Sequence, residues 1–318
     1  MGNIYDIVII GAGPAGLTAG LYACRARMKT LLVEKGLCGG QILTADTIEN
    51  FPGFPDGIKG PELAEWMTKQ AERFGIEIKT AEVNSVNPQK GERGNFRLDL
   101  DENNKIEALS LVIATGAKWN LLNIPGEKEL AGRGVSYCAT CDGPLFRNKD
   151  VVVVGGGDTA VEDALFLTKF ADKVTVVHRR DRLRAARILQ ERALANKKIE
   201  LCLKSVAAEV VGKNKVEGLK IKDVFTDKER VIKADGVFVL IGMTPNSDIV
   251  KGLVKLCPKG YVITDDEMRT SAEGIFACGD VRLKLLRQVV TAAGDGAIAA
   301  TSAEQYVERL KGTEYPRL

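Results

Sequence analysis

Two glycine loops constrain this chain more than any other feature. Each follows directly on a short, continuously apolar, β-branched run. Tyr5 to Ile10 leads into Gly11-Ala12-Gly13-Pro14-Ala15-Gly16, and Asp150 to Val154 leads into Gly155-Gly156-Gly157-Asp158-Thr159-Ala160. Runs of this length and flanking read as buried parallel strands. A helical pattern follows each loop, Leu17 to Arg27 and Val161 to Phe170. A second strand comes next, Thr30 to Glu34 and Lys173 to Val177. The βαβ unit is thus built twice, which predicts two dinucleotide sites on two domains.

In such a loop the first glycine makes the turn and the second admits a pyrophosphate. The third lets helix and strand pack, and the helix N-terminus faces the phosphates. Gly11, Gly13 and Gly16 fill these places in the first loop. Glu34 ends the next strand, about twenty residues on, where an acid binds ribose hydroxyls. Gly155, Gly157 and Ala160 fill the same places in the second loop. There the acid is missing: His178 stands in its position, followed by Arg179, Arg180, Asp181, Arg182, Leu183 and Arg184. A 2′-phosphate is negative and matches the arginine fork, so the second site reads as one for NADP(H). The first site, with its acid, needs another nucleotide. Gly39-Gly40-Gln41, Ala114-Thr115-Gly116 and Cys278-Gly279-Asp280 look like further contacts of a flavin dinucleotide, and together they favour FAD.

The rest of the chain fills in around these units. Gly60 to Phe74 reads as an amphipathic helix. Ile76 to Leu100 is strand-rich, broken by the polar Pro88 to Gly94. Leu109 to Ala114 and Gly236 to Ile241 are apolar strands, and a final helix runs from about Arg287 to Leu310. With 318 residues, 45% of them hydrophobic, the chain is long enough for two cores. A net charge of +3 argues against a nucleic-acid protein. No apolar run is long enough to span a bilayer. Seven scattered cysteines do not make a secreted disulfide framework, and Met1 to Ile10 lacks a secretory signal pattern. The expectation is a cytoplasmic chain with mostly reduced thiols.

Cys138-Ala139-Thr140-Cys141 lies just ahead of the second βαβ unit. Zinc would need a second ligand pair, but the remaining cysteines are scattered singly and the single histidine belongs to the basic cluster. No metal is expected. A pair of inert core thiols does not account for the adjacent Asp142 and Gly143. A redox dithiol fits a chain with two electron-carrying nucleotides, and Asp142 could shuttle its proton.

Taken together, these residues resemble the low-molecular-weight thioredoxin reductases, from about Tyr5 to Leu310. The strongest pieces are Ser136 to Gly143, the loop Gly155 to Ala160, and His178 to Asp181. Gly39 to Gln41, Glu49 to Gly53, Gly279-Asp280, Arg287 to Val289 and Thr291-Ala292 add to the likeness. The resemblance implies an α/β fold of two Rossmann-like domains. Residues 1–117 and 248–318 would form a discontinuous FAD domain, with an NADPH domain at 118–247 inserted. It implies FAD contacts from Gly11, Gly13, Pro14, Ala15, Gly16, Glu34, Lys35, Gly40, Gln41, Asn50, Gly116, Gly279, Asp280, Arg287, Gln288 and Val289. NADPH contacts would come from Gly155, Gly157, Asp158, Thr159, Ala160, His178, Arg179, Arg180 and Arg184. It also implies a homodimer whose partner is thioredoxin or a thioredoxin-like protein. Cys141 would face the flavin, Cys138 would attack the partner disulfide, and Asp142 would be the acid. Asp158 departs from the asparagine of many members and puts a carboxylate near a pyrophosphate. The larger glutathione-reductase-like enzymes are set aside: Cys38 has no cysteine five residues on, and no histidine follows His178.

The expected reaction is hydride transfer from NADPH to FAD, then electron transfer to the Cys138–Cys141 disulfide, then exchange with thioredoxin. Nicotinamide, disulfide and acceptor all need close approach, so the inserted domain is expected to rotate on its two linkers. Competing readings are a glutaredoxin-like or peroxiredoxin-linked acceptor, a ferredoxin–NADP reductase or oxidase on this scaffold, and a flavin redox sensor without turnover.

Overall fold

Tyr5–Ile10 is the strand on which the first half of the fold is laid down. Ile7, Val8 and Ile9 have no exposed surface. Burying each is worth about 1.5–3 kcal/mol, which is why the run carries no alternation of polar residues. Its two faces feed two cores. Ile7 and Ile9 join Leu17, Ala299 and Ala303, while Val8 and Ile10 join Leu98, Leu111 and Ile275. The computed structural model describes residues 4–45, 47–89, 96–101 and 104–314. The polar break expected at Pro88 to Gly94 lies, from Lys90 on, outside the described residues.

The chain divides into two compact units, residues 1–118 with 244–318, and residues 119–243. In the first, Glu77–Thr80, Thr30–Glu34, Tyr5–Ile10 and Lys105–Ile113 lie side by side in that order, all parallel. Phe96–Leu100 and Val83–Pro88 extend the sheet as antiparallel strands, and Ile275–Ala277 pairs parallel to Lys105–Ile113. The helices Pro14–Arg25 and Val289–Lys311 pack together on one face.

The second unit repeats the plan. Ile199–Cys202, Lys173–Val177, Asp150–Val154, Gly236–Val239 and Val135–Ser136 form a parallel sheet in that order. Three antiparallel strands, Ser205–Val211, Gly218–Asp223 and Glu229–Lys233, make a smaller second sheet. Both units therefore have the Rossmann-like order in which the third, second and first strands are followed by a later one. Among the described residues no helix is long and apolar enough to cross a membrane.

The helices begin earlier than their apolar patterns predict. The first starts at Pro14 rather than Leu17, and the second at Asp158 rather than Val161. The loop residues are themselves the first helical turn. Proline is tolerated there because its missing N–H has no intrahelical partner to lose. Aspartate is favoured there by the helix dipole.

On the helix Asp158–Leu167, Asp163 is half-buried. Burial first, and Glu162 second, push its carboxyl up to about 6. A carboxyl whose folded value lies above its unfolded one is penalised when ionised. The penalty is complete above about pH 6 and fades as pH falls toward about 4. Asp163→Asn should therefore raise stability at pH 7 by about 1–2 kcal/mol, after allowing for partial exposure, and by less toward pH 4. Urea midpoints across that range check it.

Candidate active site

In the first unit four glycine-bearing segments meet. Gly11 has φ +104 and donates its N–H to Val33 O at 2.8 Å, and a β-carbon there would lie 2.5 Å from the Ala114 carbonyl oxygen. A β-carbon at Gly16 would overlap the Gly11 carbonyl. Gly40 packs on Gly13, with its β-position 3.2 Å from Gly13 Cα, and Gly39 N–H donates to Ala12 O at 2.7 Å. The β-position of Gly279 lies 2.8 Å from Ala15 Cβ. Gly116, with φ +68, holds the end of the neighbouring strand, and its carbonyl accepts from Asn246 N. The predicted loops at 11–16, 39–41, 114–116 and 279–280 thus form one cradle. Beyond its chain neighbours, no described residue lies within 4 Å of the β-position of Gly13, which leaves room for a phosphate.

Glu34 holds this cradle together as well as lining it. One carboxylate oxygen accepts from Ala12 N at 2.7 Å and the other from Gly36 N at 3.0 Å. Each oxygen keeps a lone pair for a ribose hydroxyl. Lys35 is exposed, 3.5 Å from Glu82. Gln41 donates to the Ala117 carbonyl. Asn50 donates to Gln288 Oε1 at 2.9 Å, joining two predicted residues from distant parts of the chain. Gln288 also caps the last helix, in which Val289 is the first residue. Arg287 spends its guanidinium on the carbonyls of Asp280, Arg282 and Lys284 and stacks 4.1 Å from the Tyr261 ring centre.

Asp280 is the strongest sign of a ligand. Its Oδ1 is buried and has no hydrogen-bond partner among the described residues. Burial raises its pKa, against the pull of Lys284 and Arg287. An orphaned carboxylate oxygen beside an open glycine cradle fits a ligand that brings hydroxyl donors, as the ribityl and ribose of FAD do.

Sequence reasoning missed the group beneath it. Asp295 is buried in the last helix and accepts from Gly279 N at 3.1 Å, Arg282 Nη1 at 2.9 Å and Lys284 Nζ at 2.8 Å. An aspartate on a terminal helix reads as solvent-facing. The small residues around it, Gly294, Gly296 and Ala297, were the available hint of close packing.

The second loop has the same backbone hydrogen bond, Gly155 N–H to Val177 O at 3.1 Å, and the same open β-position at Gly157. Ala160 is buried and Thr159 is exposed in the first helical turn. The basic cluster divides. Arg179, Arg180 and Arg184 are exposed, with no ion-pair partner among the described residues. His178 turns inward: it is buried over Gly156, where a β-carbon would overlap its ring. Burial first, then Arg184, Arg180 and Arg179, hold the imidazole pKa below its ordinary value. Asp158 is exposed, and its Oδ1 accepts from Ala186 N at 2.7 Å.

On the same unit Cys138 and Cys141 form a disulfide with Cα atoms 5.3 Å apart. Cys138 precedes the short helix Ala139–Asp142. Cys138 Sγ receives Cys141 N–H at 3.2 Å and lies 3.4 Å from the Thr140 hydroxyl. Both cysteines and Asp142 are half-buried. Ala139 and Gly143 pack against the helix that begins at Asp158, Ala139 through the shared core and Gly143 against Leu167 and Phe166. The other five cysteines are free.

Residues 5–296 match the family model of the pyridine nucleotide-disulphide oxidoreductases. A thioredoxin reductase of Bacillus subtilis is 47% identical over 312 residues, 98% of this chain and 97% of that protein. One from Peptoclostridium acidaminophilum is 48% identical, covering 97% and 98%. The crystal structure of thioredoxin reductase from Streptococcus pyogenes superposes with a TM-score of 0.92 at 47% identity, covering 97% of this chain and 100% of that one. The chain belongs to the pyridine nucleotide-disulphide oxidoreductase family, among its thioredoxin reductases. The family inferred from motif order is the one these comparisons return.

Removing the buried carboxylate should test the cradle. Asp295→Asn leaves two cations without their counter-charge and should cost about 3 kcal/mol of stability. It should also loosen Gly279 and Asp280. Denaturation midpoints and the flavin retained on gel filtration measure the two effects.

Proposed function

We propose that this chain is an NADPH-dependent thioredoxin-disulfide reductase. The first unit binds FAD, and the inserted unit binds NADPH and carries the Cys138–Cys141 disulfide. One observation carries the reading: the disulfide shares a unit with a glycine loop whose acid gives way to His178 and a turn of exposed arginines that make no ion pair among the described residues. Near-full-length identity to thioredoxin reductases supports thioredoxin as the acceptor. A homodimer in the cytoplasm belongs to the same reading, supported by the family likeness.

Gly11, Gly13, Glu34, Gly40 and Asp280 would hold FAD. Gly155, Gly157, Thr159 and the three arginines would hold NADPH. When bound, FAD accepts a hydride from NADPH and passes two electrons to a disulfide. The chain's own sulfurs do the rest. Reduction breaks the Cys138–Cys141 bond, and Asp142 supplies a proton to the thiolate released. The Cys141 N–H and Thr140 hydroxyl donate to Cys138 Sγ, so they stabilise negative charge on that sulfur. That favours Cys138 as the attacking thiolate. It displaces one sulfur of the acceptor disulfide and forms a mixed disulfide. Cys141 then returns its proton to Asp142 and attacks Cys138 Sγ as a thiolate, which reforms the internal bond and releases the acceptor's second thiolate. The inserted unit joins the rest through two crossings, and the cycle includes its rotation on them.

The direct test is NADPH-dependent reduction of purified thioredoxin, with NADH as comparison. Activity on another protein disulfide but not on thioredoxin would change the acceptor. Flavin binding without steady-state NADPH oxidation would leave a sensor.

Two substitution sets sharpen the test. Cys138→Ser and Cys141→Ser should each abolish thioredoxin reduction while NADPH still bleaches the flavin in a single turnover. Asp142→Asn should keep that bleaching and lower turnover about 10²–10⁴-fold, the usual range for a general acid. Stopped-flow absorbance separates the half-reactions.

A 2′-phosphate contact to arginine is worth about 1.5–3 kcal/mol. Arg179→Ala with Arg180→Ala should thus raise the KM for NADPH about tenfold or more and leave NADH use nearly unchanged. Equal loss for both nucleotides would make the cluster structural.

A further inference from the structure

The arginines of the basic turn are exposed, yet its backbone is fixed at several points. Arg184 N–H donates to Gly156 O at 2.6 Å, and Ala186 N–H donates to Asp158 Oδ1 at 2.7 Å. Ala185, between them, is buried, and its carbonyl accepts from Gln190 at 2.7 Å. At the other end Arg180 O accepts from Lys204 N at 3.0 Å. Of these anchors, the one made by a side chain of the glycine loop itself is Asp158.

We infer that Asp158 is a positioning residue for the 2′-phosphate. Its carboxylate ties the turn that carries Arg184 to the start of the helix that faces the pyrophosphate. A carboxylate is tolerated there because its charge is directed at the Ala186 N–H and favoured by the first helical turn. Preorganising Arg184 reduces the ordering cost that phosphate binding would otherwise carry. The effect acts on the 2′-phosphate and not on the rest of the nucleotide. The inference rests on the assignment of NADPH to this unit.

The test is calorimetric titration of the flavin-loaded protein with adenosine 2′,5′-bisphosphate and with 5′-AMP, which differ by the 2′-phosphate alone. Asp158→Ala should weaken the bisphosphate about three- to tenfold and leave 5′-AMP unchanged. KM for NADPH should rise by a similar factor, and by more than KM for NADH. Asp158→Asn keeps an acceptor for Ala186 N–H and should bind the bisphosphate as the parent does, or more tightly. Circular dichroism of each variant checks the fold. Equal weakening of both ligands by Asp158→Ala would overturn the inference, and so would Asp158→Asn behaving like Asp158→Ala. Arg184→Ala is the control on the underlying assignment. If it leaves the ratio of the two affinities unchanged, the 2′-phosphate site itself is wrong and Asp158 falls with it. If it lowers the ratio while Asp158→Ala does not, only the role of Asp158 fails.

Discussion

At Gly16 the helix backbone passes so close to the Gly11 carbonyl that no side chain fits between them. That approach sets the position of everything else in the first cradle. It brings the helix start to the carboxyl ends of the parallel strands, and it places Ala114 against Gly11 and Gly279 against Ala15. The N–H groups of a helix's first turn lack intrahelical partners, and a pyrophosphate placed there would meet their dipole. Glu34 closes the arrangement by accepting from Ala12. A larger residue at Gly16 would push the helix off the strands, and the three remaining segments would lose the surface they pack on.

The parts legible in the sequence were those written locally. β-Branched runs beside glycine loops give both βαβ units, and the strands Tyr5–Ile10, Thr30–Glu34, Asp150–Val154 and Lys173–Val177 lie where their residues predict. The helices start ahead of their apolar patterns because Pro14 and Asp158 have the composition of a loop and function as first turn. Asn50 and Gln288 came only through family likeness, since their mutual hydrogen bond is a property of the folded chain. Asp295 is not legible: its three donors all lie on the 279–284 turn, which no periodicity brings to the last helix. His178 was legible as the replacement of an acid, but not as a ring buried over Gly156.

Two carboxylates in the first unit illustrate how burial divides labour between similar groups. Asp295 is surrounded by donors and fixes the backbone of the 279–284 turn. Asp280, on that turn, has one buried oxygen with no partner among the described residues. A polar group can be held unsatisfied inside a fold only if its neighbours keep it from relaxing. Asp295 and Arg287 supply that restraint, one through Gly279 N–H and the other through the Asp280 carbonyl.

The two cradles share a backbone. Gly11 and Gly155 make the same hydrogen bond to the next strand, and Gly13 and Gly157 are equally open. What differs is the side chain at the end of the second strand, one residue after the carbonyl that accepts this bond: a glutamate tying the loop in one, an imidazole lying on it in the other. On the proposed assignment, the address of each nucleotide would be built into the support of its own loop. Rewriting the second address for a free ribose hydroxyl is not a single exchange. A carboxylate at position 178 would inherit a buried site against Gly156, and removing the ring would leave that glycine uncovered. The scaffold is a duplication in plan, but its two halves are not interchangeable.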